Sequence, residues 1–197
     1  AWWFNLLSDI LATGHGPAWE GEGLTFVIHA SIGGDMDPAE FGVNSGWAGL
    51  RTTPEFVSLF PDGADSADER EMFYTEGQNL EVNSISSFTD GYAVGKYKNV
   101  DVNGNQGSDS TGEHVDTDFP LFRLGDVYLM YAEAVLRGGG GSTEQALAYV
   151  NELRDRAYQE TANPVSASEF NLNLILAERG RELYWEAHRR TDLIRFN

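Results

Sequence analysis

ERGRELYWEAHRRTDLIRF, residues 178–196, sets four carboxylates among five arginines around one tryptophan and one histidine. Read as a helix, it places Glu178, Glu182 and Glu186 at i, i+4 and i+8 along one side. A retaining glycoside hydrolase needs two carboxylates about 5 Å apart, which adjacent helical turns supply. A carboxylate metal site would also ask for histidine at helical spacing, and His188, two residues after Glu186, falls on another face. The cations Arg179, Arg181, Arg189, Arg190 and Arg195 decide between these readings. Guanidinium forks pair bidentately with carboxylates and keep them ionised, whereas a general acid needs a raised pKa. The stretch reads as scaffold, a charged lattice that fastens helices. Hydrolysis through Glu178 and Glu182 is the alternative.

Working outward, residues 119–197 are helical by every local signal. In FPLFRLGDVYLMYAEAVLR (119–137), Arg123, Asp126, Glu133 and Arg137 form one narrow stripe on an otherwise apolar helix, which predicts burial on most sides. GGGG at 138–141 breaks the chain. Ser142 with Gln145 then makes a capping box for a second helix, whose Ala146, Val150, Leu153 and Ala157 share a face. NPVSAS leads into a third helix with Leu172, Ile175, Leu176, Leu183 and Ala187 on one side. Antiparallel helices with small residues at the crossing read as one tetratricopeptide-like pair.

Residues 1–118 have a different texture. Turn signals recur at GHGP (14–17), SIGGDMDP (31–38), PDG (61–63), TDG (89–91) and DVNGNQGSDSTG (101–112). TFVIHAS (25–31) alternates Phe26, Ile28 and Ala30 against Thr25, Val27 and His29, a strand pattern that leaves His29 as a hydrogen-bonded structural histidine. EMFYTEG (71–77) and GYAVGKYKNV (91–100) are further strands, and TTPEFVSLF (52–60) starts a short helix with Thr53 as N-cap and Pro54 at its first position. Asp101, Asn103 and Asn105 fall at positions 1, 3 and 5 of an EF-hand-like loop, but Gln106 replaces the turn glycine and Gly112 the bidentate glutamate. A solvated acidic loop is the better reading. No cofactor is expected, and calcium is the one ion to consider.

Composition narrows the partners. With no cysteine in 197 residues, disulfides and thiolate chemistry are excluded. Thirty-one acidic residues against 13 basic ones give a net charge of -18, with no basic stripe, so nucleic acid and anionic membrane surfaces are poor partners and uncharged glycans fit. No apolar run approaches the ~20 residues of a membrane-spanning helix. The start AWWFNLLSDI lacks a methionine and a basic leader, and the chain stops just after an arginine–aromatic pair. Both ends read as cuts through a longer protein.

Six blocks carry a resemblance in order: GWAGLRTTPEFVSLF (46–60), DEREMFY (68–74), GYAVGKYKN (91–99), DTDFPLFRLGDVYLMYAEAVLRGG (116–139), ALAYVNELRDRA (146–157) and residues 178–196. Together they resemble the SusD/RagB family of outer-membrane glycan-binding lipoproteins. The resemblance implies a mainly α fold, in which tetratricopeptide-like helical repeats (here 119–197) carry an irregular, turn-rich segment with short strands (here 1–118). Both would belong to one SusD-like domain truncated at either end. It also implies a protein on the extracellular face of the outer membrane, lipid-anchored through a cysteine outside this chain. Such proteins bind glycans without cleaving them and pair with a SusC-like TonB-dependent transporter.

Sugars offer apolar C–H faces rimmed by hydroxyls, and proteins meet them with exposed aromatic planes flanked by polar groups. NSGWAGLR (44–51) is the best stretch for this: Trp47 lies among small residues in a turn-rich context, with Asn44 and Arg51 beside it as hydrogen-bonding candidates. Trp47 also resembles the loop tryptophan that stacks on sugar rings in starch-binding members of the family, which points to an α-glucan ligand. Trp2, Trp3, Phe4 and Trp19 are weaker candidates, and Tyr184 and Trp185 belong to the scaffold. Against a glycan receptor stand the hydrolase with Glu178 and Glu182, and a transporter lid without sugar affinity.

Overall fold

A computed structural model of the chain describes residues 22–60, 67–159 and 163–197. The fold is mainly α, as expected. Among the described residues the α-helices are α1 (Glu22–Ser31), α2 (Pro54–Val57), α3 (Leu124–Leu136), α4 (Thr143–Tyr158), α5 (Leu172–Leu183) and α6 (Arg189–Arg195). Among the described residues one antiparallel ribbon joins β1 (Phe73–Tyr74) to β2 (Ala93–Val94), with Phe73 opposite Val94 and Tyr74 opposite Ala93. The chain divides into two compact units, Ala1–Pro54 with Met72–Pro120, and Glu55–Glu71 with Leu121–Asn197.

The helical unit is built on caps and small residues. The Ser142 hydroxyl accepts the Gln145 N–H at 3.1 Å to start α4, and the Asn171 side chain accepts the Leu174 N–H at 3.0 Å to start α5. Leu129 and Ala132 from α3, Ala146, Val150 and Leu153 from α4, and Ile175 from α5 close a core, joined by Val165 and Phe170 from the connecting loop. The alanines let the helices approach, and Tyr128 of α3 stacks on Tyr149 of α4 at 4.2 Å.

Two expectations for this unit are corrected. The polar stripe of α3 faces inward: Arg123, Asp126 and Glu133 are buried, while Leu124, Val127 and Met130 on another face are 50%, 49% and 45% exposed. Periodicity finds the stripes but not their orientation, and here ion pairing supplies the interior partners that apolar contact was expected to supply. Residues 172–187 are also not one helix. The chain leaves α5 at Tyr184, and Trp185 and Ala187 take left-handed φ values of 60° and 61° before α6 begins. Ala187 is therefore exposed rather than on the apolar face. The buried Tyr184, whose hydroxyl donates to the Arg70 carbonyl at 2.6 Å, fixes this departure.

In the turn-rich unit, residues 25–31 are helical, which overturns the strand reading. Leu24, Ile28 and Ile32 recur at i, i+4 and i+8 and are buried, whereas Phe26 is 58% exposed. A seven-residue window rich in β-branched side chains fits both periods, and extending it by one apolar residue on each side selects the helix. EMFYTEG and GYAVGKYKNV do contribute the two strands. Among the described residues no helix is long and apolar enough to cross a membrane.

The inward polar stripe of α3 gives a direct expectation. Leu129→Ala should lose about 2–5 kcal/mol in urea unfolding as a buried truncation. Val127→Ala should change stability by no more than about 0.5 kcal/mol as an exposed one. Equal losses would contradict the orientation of α3.

Candidate functional site

Two constellations compete for the functional role, the charged stretch around α5 and the aromatic loop around Trp47. In the first, Arg70 is fully buried, and its Nη1 donates to Glu178 Oε1 at 2.6 Å and to Glu182 Oε2 at 3.2 Å. Its Nε and Nη2 grip both oxygens of Asp68 at 2.8 and 2.6 Å. Glu178 also receives Arg154 at 3.0 Å and Arg181 at 2.6 Å, and Glu182 receives Arg123 at 2.5 Å and Arg156 at 2.8 Å. Arg123 reaches on to Glu186 through Nε and Nη2, at 2.6 and 2.8 Å. Arg179 bridges Asp126 and Asp192, each at 2.8 Å. Glycine at 125 leaves room for this: a Cβ there would fall 2.6 Å from Glu182 Oε1.

These pairings fix the protonation of the glutamates. Burial alone would raise the Glu178 carboxyl, but Arg70, Arg181 and Arg154 hold it down at about 2. At Glu182 burial is likewise outweighed, by Arg123, Arg156 and Arg70, and the carboxyl falls well below the usual carboxylate range. Neither side chain has any solvent exposure. An ionised, enclosed carboxylate can neither donate a proton to a leaving group nor touch a substrate. What the lattice can do is hold α3, α4, α5 and the segment around Arg70 in one register.

The second constellation starts from the end of α1. Trp47 N–H donates to the His29 carbonyl at 2.7 Å, Ala48 N–H to Ile32 at 2.8 Å and Leu50 N–H to Ala30 at 3.0 Å, so the loop satisfies carbonyls that the helix terminus leaves open. This close approach depends on missing side chains: a Cβ on Gly33 would meet Ala48 Cβ at 2.5 Å, and one on Gly46 would meet the Ile32 carbonyl at 2.5 Å. So held, the Trp47 indole lies on the buried His29 imidazole, with centroids 4.7 Å apart and planes 18° from parallel. His29 is itself fixed, its Nδ1 2.8 Å from the Ser45 carbonyl oxygen and its Nε2 3.2 Å from that of Glu113. Phe26 stands beside the indole at 6.1 Å, and Trp47 remains 53% exposed. The result is an anchored aromatic platform of the kind that takes sugar C–H faces.

Asn44 and Arg51 are engaged elsewhere in the same unit. Asn44 is exposed, and its amide donates to the Thr111 carbonyl at 2.8 Å while its oxygen accepts from Ser45 Oγ at 3.0 Å. Arg51 Nη2 donates to the Ile85 carbonyl at 3.1 Å, and its guanidinium lies 5.9 Å over the Phe88 ring. The ring partners of Trp47 are thus Phe26 and His29, which the strand reading had hidden. Trp2, Trp3, Phe4 and Trp19 lie outside the described residues. Among the described residues no group of three or more histidine, aspartate and glutamate side chains is placed to hold a metal ion. The Asp101 carboxylate instead caps its own turn, accepting from the Asn103 and Asn105 backbone N–H groups at 2.8 and 2.9 Å.

Residues 63–197 match the sequence model of the SusD family. The starch-binding protein SusD of Bacteroides thetaiotaomicron is 38% identical over 135 residues, which cover 66% of this chain and 23% of that relative. The chain therefore aligns with about a quarter of the relative's length. Trp47 lies upstream of the residues that match the family model.

The lattice makes acid stability testable. Glu178 titrates at about 2 when folded against an ordinary 4.5, so acidification protonates the unfolded chain first. Its contribution is complete above the ordinary value and is lost as the pH falls through the folded one. Glu178→Gln should cost about 3–5 kcal/mol at neutral pH by stranding buried guanidinium groups. It should also flatten the fall in unfolding free energy between those two pH values. A variant as stable as the parent, with an unchanged acid limb, would contradict the lattice.

Proposed function

Since this chain belongs to the SusD family, we propose that it is a non-catalytic glycan-binding protein that captures oligosaccharides or polysaccharides at the cell surface. Capture would be followed by delivery to a SusC-like TonB-dependent transporter, on the extracellular face of the outer membrane, from a lipid anchor outside this chain. The observation that carries the binding step is the Trp47 platform, an indole anchored on buried His29, flanked by Phe26 and still half exposed. An aromatic plane held rigid before the ligand arrives loses little conformational freedom on binding.

Within this reading Trp47 stacks on a sugar ring and Phe26 supports a neighbouring one. Asn44, with one amide hydrogen left, contributes a hydrogen bond at the rim, and Arg51 anchors the loop that carries Ile85 and Phe88. The ligand is an α-glucan such as starch, by analogy with the starch-binding relative. The transporter is likewise proposed from kinship. Glu178 and Glu182 play no chemical part, being enclosed and ionised.

Affinity electrophoresis in amylopectin gels tests the proposal. The protein should be retarded, and Trp47→Ala should weaken the retardation about tenfold, a loss of about 1.4 kcal/mol. Reducing ends should not accumulate in either sample. Retardation that is indifferent to Trp47→Ala would displace the site, and sugar release would overturn the non-catalytic reading.

A further inference from the structure

A cavity of about 490 Å³ opens in the turn-rich unit, lined by Met36, Phe41, Phe73, Tyr74, Gly95 and Lys98 together with Glu40 and Asp101. Its size lies within the ~300–1,000 Å³ of small-molecule sites. It shares no lining residue with the Trp47 platform. Apolar and aromatic side chains form its walls, and several of its polar groups are uncommitted. Lys98 Nζ sits 4.7 Å over the Phe41 ring and, among the described residues, has no carboxylate partner. The half-buried Tyr74 hydroxyl and the exposed Glu40 carboxylate also make no hydrogen bond among the described residues. In the helical unit, by contrast, the lattice arginines are each locked to carboxylates.

An apolar concavity with a few convergent, unengaged polar groups is the general description of a ligand site. The groups themselves specify the ligand. Aromatic walls take C–H faces, while a phenol, an ammonium and a carboxylate together serve hydroxyls as donors and acceptors. Burial, with Glu76, Asp35 and Glu40 nearby, raises the Tyr74 hydroxyl above its ordinary value and keeps it a donor. Glu40 and Asp101 outnumber Lys98 among the lining residues, which opposes an anionic ligand, and the mixed signs suit the donors and acceptors of neutral hydroxyls. We propose that the cavity formed by Phe41, Phe73, Tyr74, Lys98 and Glu40 is a second saccharide site, independent of Trp47, that takes a neutral oligosaccharide. A protein with two separated sugar sites gains avidity for a long glycan beyond either site alone.

Gly95 offers a clean way to block it. A Cβ there would meet Phe41 Cε1 at 3.5 Å and the Met72 carbonyl at 3.6 Å, ordinary contacts, and the Gly95 N–H bond to the Met72 carbonyl involves backbone alone. The test is amide NMR of the 197-residue chain carrying Trp47→Ala, titrated with maltotriose, cellotriose and xylotriose. At least one should shift the Gly95 and Lys98 amides with the same Kd as in the parent. Adding Lys98→Ala should weaken that binding about tenfold, the loss of a hydrogen bond to a charged group. Gly95→Leu should abolish it. The two variants alter different atoms, so misfolding of one, visible in its spectrum, leaves the other to decide. The proposal is overturned if no trisaccharide shifts these amides, if Trp47→Ala removes the shifts, or if a folded Lys98→Ala or Gly95→Leu leaves the Kd unchanged.

Discussion

The helical unit depends on Arg70 meeting Glu178 and Glu182 in a space that excludes water. Ion pairs of this kind seldom stabilise a fold more than apolar residues of the same size would. Their consequence is specificity. Once desolvated, each carboxylate must find its guanidinium partners, and the observed register of α3, α4 and α5 satisfies Arg70, Arg123, Arg154, Arg156 and Arg181 together. The apolar core formed by Leu129, Val150 and Ile175 supplies driving force, and the lattice selects among the packings that core would tolerate.

That arrangement bears directly on function. The charged helix, with its repeated glutamates, is the part of the sequence most suggestive of catalysis. Yet its carboxylates are committed to arginines and closed to solvent. In the proposed reading recognition falls to the other unit, where glycines at 33 and 46 allow a loop to fold against the end of α1 and raise an indole on a histidine support. Rigid placement of Trp47 comes from backbone hydrogen bonds to helix carbonyls rather than from side-chain burial. This is how a large aromatic ring can be ordered and exposed at once.

Much of the helical unit was legible in the sequence. Ser142 announced α4, the periodic apolar residues of 146–157 announced its buried face, and the interleaved charges announced that the carboxylates would be paired, although Arg70, Arg123, Arg154 and Arg156 come from outside the stretch. Orientation was not legible: the stripe of Arg123, Asp126 and Glu133 reads as a solvent face until its partners on α5 and the following loop are known. Residues 25–31 were misread because Phe26, Ile28 and Ala30 alternate by accident over a window too short to separate a period of 2 from one of 3.6. With that error went Phe26, assigned to the same side as Ile28 although the helix turns it toward Trp47. The exposed Trp47 itself was foreseen from its small neighbours. The partners of Asn44 and Arg51 were not, because they are backbone carbonyls at Thr111 and Ile85, and sequence carries no sign of which carbonyl a side chain will meet.

Direct titration of the Glu178 side-chain carboxyl by 13C NMR decides between scaffold and catalytic acid. If the lattice holds the carboxylate ionised, its chemical shift stays that of the charged form from neutral pH down to the region of about 2, moving only as the helical unit unfolds. A transition at or above the ordinary 4.5 while the fold is intact would mean that the guanidinium groups do not control it. The carboxylate would then be free to exchange protons, and the non-catalytic reading of the charged helix would fail.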